Sequence, residues 1–117
     1  MKQLFRYDGR FQWWSYTVSH GQLLLRSTSS SKRSTQVDVL FKDVVAVELP
    51  TSFDNIEVLE AETTDEPSRV ALPSGGRKRF LIRGRDVNGY VIAGAVHHVE
   101  GEQSHGDASP LIPRFPP

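Results

Sequence analysis

At 117 residues the chain is sized for one domain with one core. Fourteen Lys and Arg balance fourteen Asp and Glu, which excludes a global field that would draw the protein onto nucleic acid or an anionic membrane. The absence of Cys excludes a disulfide, a thiolate zinc site and a cysteine nucleophile, and it fits a cytoplasmic protein.

The first residues, from Met1 through Lys2 to Arg6, meet charge at once and hold no apolar signal segment. No later run approaches the about 20 apolar residues of a membrane span, so a soluble chain without a transmembrane segment is expected. Phe11, Trp13, Trp14, Tyr16 and Val18 then crowd together with Thr17, a density of aromatic and β-branched residues that predicts a strand over 11–18. Ser19, His20, Gly21 and Gln22 supply a turn into Leu23, Leu24 and Leu25, which reads as a hairpin. Residues 27–36 are polar throughout and read as an exposed loop.

Val37, Val39 and Phe41 alternate with Asp38, Leu40 and Lys42, the period of a strand with one face inward. The run from Val44 to Leu49 is apolar at almost every position and stops at Pro50, which predicts a buried strand. Residues 55–62 alternate less cleanly and are read as a further strand. Pro67, Pro73 and the glycines at 75 and 76 mark 63–76 as a long connection. Two more strands, 79–83 and 90–96, flank Asp86, Val87, Asn88 and Gly89, where Asn-Gly predicts a type I′ hairpin turn. Pro110, Pro113, Pro116 and Pro117 mark a proline-rich extended tail.

No stretch carries a capped helical stripe. The expected fold is therefore all-β, a single antiparallel barrel or two-sheet sandwich of about seven strands with little or no helix. It is expected to occupy residues 1–104, with the tail at 105–117. The sequence from Tyr16 to Glu48 carries an apolar strand after a short polar turn (residues 18–25), then Val37-Asp38-Val39, then Asp43-Val44-Val45-Ala46-Val47-Glu48. In this it resembles the first half of bacterial pleckstrin-homology-like and GRAM-like barrels. The resemblance implies a small barrel and brings no functional residue with it.

Chemical motifs are sparse. His97 and His98 are adjacent on a predicted strand and point to opposite faces, so they cannot share one ion. No G-x-S-x-G elbow or other catalytic constellation occurs, so neither an enzyme nor a cofactor is predicted. Arg77, Lys78 and Arg79 follow Gly75 and Gly76 and are a candidate anion site with Lys32 and Arg33 of the earlier polar loop. The acidic block Glu48–Glu66 precedes the basic block Arg69–Arg85, and pairing of the 55–62 and 79–83 strands would set the two against each other. Trp13, Trp14, Tyr90 and Ile92 are candidate interface anchors. The leading expectation is a non-enzymatic module that binds a protein partner or self-associates as a dimer. The alternative is a barrel that binds an anionic small ligand or phospholipid head group through its basic loops.

Overall fold

The computed structural model describes residues 2–28, 35–61, 76–101, 109 and 111. The domain is all-β and antiparallel: β1 (Lys2–Thr17), β2 (Gln22–Ser27), β3 (Gln36–Lys42), β4 (Ala46–Glu48), β5 (Ser52–Ala61), β6 (Lys78–Arg83), β7 (Asn88–Ala93) and β8 (Ala95–Gly101). One 3-10 turn, Val18–His20, joins β1 to β2. All eight strands belong to one sheet in the order β4-β7-β6-β5-β1-β2-β3-β8. Its end strands, β4 and β8, form no ladder with each other, so the sheet is neither a closed barrel nor two separate sheets.

The sheet nevertheless curls onto itself, because β3 pairs with β8 while β4, the continuation of β3, pairs with β7. Lys42 faces Ala95 before the corner and Ala46 faces Ile92 after it, so residues 43–45 of one segment stand against 93–94 of the other. That extra residue is a bulge. Asp43 takes the strain with a φ of 57°, and Gly94 donates to the Lys42 carbonyl at 2.8 Å while Val45 donates to that of Ile92 at 2.9 Å. β1 joins the two halves of the sheet, since residues 2–12 pair with β5 and residues 12–17 with β2.

Inside the curl, alternate residues of every long strand form the core, among them Phe5, Phe11, Leu23, Leu25, Val39, Phe41, Phe53, Ile56, Phe80, Ile82 and Val91. Phe11 stacks against Phe53 with ring centroids 6.3 Å apart, and Phe41 tilts against Phe80 at 5.8 Å. Such aromatic pairs add to the area they bury. The reverse face of β2 and β3 is buried as well, with Leu24, Arg26, Asp38 and Leu40 all at most 2% exposed. The alternation of 37–42 therefore does not separate an inward face from a wet one.

Several boundaries differ from the sequence expectation. The first strand starts at Lys2 and not Phe11, and there are eight strands where about seven were expected. The run 44–49 is not a buried strand: only Ala46–Glu48 pairs, at the end of the sheet, and Val45 is 55% exposed. The expected strand 90–96 breaks at Gly94, because its halves pair with different neighbours. Asn88 and Gly89 are not a turn. They lie in β7 and pair with Arg83 and Ile82 of β6, while residues 84–87 make the connection, closed by Gly84 N–H to the Val87 carbonyl at 3.0 Å. The expected exposed loop 27–36 is wrong at its ends, where Ser27 closes β2 and Gln36 opens β3 and both are buried in the ladder. Its residues 29–34, residues 63–75 of the expected connection 63–76 and nearly all of the tail lie outside the described residues.

Candidate functional site

Of the sequence-predicted basic residues, the three described ones have different surroundings. Arg77 turns to Asp43, its Nη2 lying 3.1 Å from Oδ1. Lys78 reaches Glu60 on the adjacent strand at 3.3 Å. Arg79, one residue on, points to the opposite face of β6 and is buried, with Nε and Nη1 lacking hydrogen-bond partners. Lys32 and Arg33 lie outside the described residues. The pairing that sets the acidic and basic blocks against each other is present: β5 pairs with β6, and Glu57 lies directly across from Arg83.

The predicted interface residues also divide. Trp13 is half-buried against the core and Trp14 is half-buried with its ring 4.8 Å from the Arg26 guanidinium. Tyr90 is half-buried, and Ile92 is only 5% exposed. His20 sits in the 3-10 turn, remote in sequence from the other described histidines, His97 and His98, which are consecutive on β8.

A different surface stands out at β8. One edge of this strand carries the ladder to β3, and among the described residues no strand pairs with the other. Its backbone N–H and C=O groups on that side are a ready template for a further strand. His97, His98 and Glu100 are exposed along it, with Val99 half-buried between.

His98 and Glu100 point to the same side, toward β1. The His98 ring stacks on Phe5 at 4.0 Å, and its Nδ1 lies 2.6 Å from the Tyr7 hydroxyl. Burial, helped by the Glu100 charge, raises the Tyr7 pKa, while burial and then the His97 charge lower that of His98. Both directions favour a neutral pair in which Tyr7 donates and Nδ1 accepts, leaving the imidazole proton on Nε2. Thr35 Oγ1 donates to the Glu100 carboxylate. The sequence marked 97 and 98 only as a failed metal pair, because contacts to residues some 90 positions away leave no local pattern.

No family model, curated protein or solved structure matches the chain. Among the described residues no helix is long and apolar enough to cross a membrane, and no group of three or more His, Asp or Glu is placed to hold a metal ion.

Proposed function

We propose that the chain is a non-enzymatic interaction domain of the cytoplasm that self-associates as a two-fold dimer through the open edge of β8. The observation that carries this reading is that edge, seven residues long and unpaired among the described residues. An exposed edge of this length invites either a partner strand or a protective device, and β8 has no proline and one carboxylate.

Charge selects the register. When two copies continue one sheet about a perpendicular two-fold axis, residues of the same face meet across the new ladder. Centring the axis on Val99 sets His98 opposite Glu100 of the partner subunit, and does so twice. Centring it on His98 sets that residue against its own copy. The first register is favoured, since the free Nε2–H of a neutral His98 then donates to a carboxylate.

Light scattering from micromolar concentration upward tests the reading. The expected mass is twice the 13.1 kDa of one chain. Val99→Lys places two like charges on the axis and is expected to give a monomer with an unchanged β circular-dichroism spectrum. A wild-type protein that stays at the monomer mass, or a Val99→Lys dimer as tight as wild type, overturns the proposal.

A further inference from the structure

A second surface, independent of β8, lies where the start of β5 meets the connection between β6 and β7. We infer that it is a binding site for a phosphate monoester. A cleft of about 230 Å³ opens there, lined by Arg6, Asn55, Glu57, Arg83, Gly84 and Arg85. Its size is below the roughly 300 Å³ at which pockets for larger organic ligands begin, so it suits one small anionic group.

Backbone geometry fixes the walls of the cleft. Asn55 holds a left-handed conformation, φ 65°, and its Oδ1 accepts from the Gly9 amide at 3.1 Å. Arg85 donates its backbone N–H to the Asp54 carbonyl at 2.8 Å, which brings the 84–87 connection onto the same corner. The approach is so close that a Cβ at position 84 would lie 2.7 Å from the Asn55 carbonyl oxygen. Only glycine fits there without a shift. A non-glycine residue in the left-handed region, held from two sides, is the kind of strain that recurs at ligand sites.

The charges then set the ligand. Arg6, Glu57 and Arg83 are consecutive rungs across β1, β5 and β6, so Glu57 lies between two guanidinium-bearing positions. Arg85 adds a third, and the lining carries three positive charges against one negative. Arg6 also lies 3.9 Å from Asp8, but that contact is long and both side chains are largely exposed, so it leaves the charge of Arg6 in place. Asp54 is held by Arg10 at 3.3 Å. A net charge of two carried by planar guanidinium groups along the lining matches a phosphate dianion better than a single carboxylate.

The test is a titration of the full chain with inorganic phosphate at low ionic strength, followed by amide chemical shifts. A saturable response confined to residues near 55–57 and 83–86 is expected, and acetate is expected to bind more weakly. Arg85→Ala should weaken phosphate binding by about tenfold or more, the loss of one charge-assisted contact. Glu57→Gln should strengthen it, and Arg77→Ala, outside the cleft, should leave it unchanged. Vesicles of phosphatidylcholine carrying phosphatidic acid distinguish the sources of the phosphate. Sedimentation with them that Arg85→Ala abolishes assigns the cleft to a lipid head group, and saturation by soluble phosphate without sedimentation assigns it to a free monoester. A response that never saturates with either probe, or that Arg77→Ala weakens as much as Arg85→Ala, overturns the inference.

Discussion

Replacing Asp38 by Ala removes one partner of a fully buried ion pair and leaves the other in place. Arg26 and Asp38 face each other across β2 and β3, both with side chains 0% exposed, joined by Nε to Oδ1 at 2.8 Å and Nη2 to Oδ2 at 3.1 Å. Arg26 Nη1 is already buried without a hydrogen-bond partner, so the guanidinium is held by Asp38 alone among the hydrogen bonds found. Two charge-assisted bonds at about 1.5–3 kcal/mol each agree with the about 3–5 kcal/mol expected for breaking a buried pair from one side. Against a total of about 5–15 kcal/mol for a domain, this is a large fraction. Urea unfolding with linear extrapolation measures it, and with a slope of about 2 kcal/mol/M the midpoint should fall by roughly 2 M. The paired replacement Arg26→Met with Asp38→Leu should recover most of the loss, since two apolar residues of similar volume leave no charge stranded. A loss below about 1 kcal/mol for Asp38→Ala, or a double variant as unstable as the single one, would refute the reasoning.

Stability should also depend on pH through His98. Its folded pKa lies below its ordinary value of 6.5, so its contribution is complete above 6.5 and is lost as pH falls through the folded pKa. Thermal melts of the Val99→Lys chain from pH 7.5 to 4.5 should show that slope, and His98→Phe should reduce it. Gly89→Ala would set a Cβ 2.2 Å from the Glu48 carbonyl oxygen. It should cost about 1–3 kcal/mol by pushing β4 off β7, while Gly101→Ala, with nothing within 4 Å, should stay within about 0.5 kcal/mol in the same unfolding assay. Phe11→Ala, at a fully buried ring, should cost about 3–5 kcal/mol by denaturant unfolding.

The fold class was legible because dense apolar and β-branched runs such as 11–18 and 79–83 permit little but strand. What the sequence hid was where strands change partners. Tyr90 to Val96 reads as one uninterrupted apolar strand, yet Gly94 divides it because its two halves pair with β4 and β3. The corner at Asp43 divides the opposite segment in the same way. These breaks are set by the curl of the whole sheet, a long-range property with no local residue pattern. Asn88-Gly89 misled for a related reason: a turn signal describes what two residues tolerate, and here the ladder extended through them and moved the turn to 84–87.

Charge patterning was informative about pairing. Opposite blocks on β5 and β6 did meet, and that meeting is why Lys78 is engaged with Glu60 rather than presented to a ligand. The period of two sends Arg79 to the opposite face of β6 from Lys78, while Arg77 precedes the strand and turns to Asp43. A cationic group on a sheet can also be assembled across strands, from residues directly paired on neighbouring chain segments. Arg6, Glu57 and Arg83 are such a set, and they come from positions separated by 51 and 26 residues. The grouping can be recognised only once the register is known, whereas in the run that drew attention in the sequence alternation along β6 parts Lys78 from Arg79.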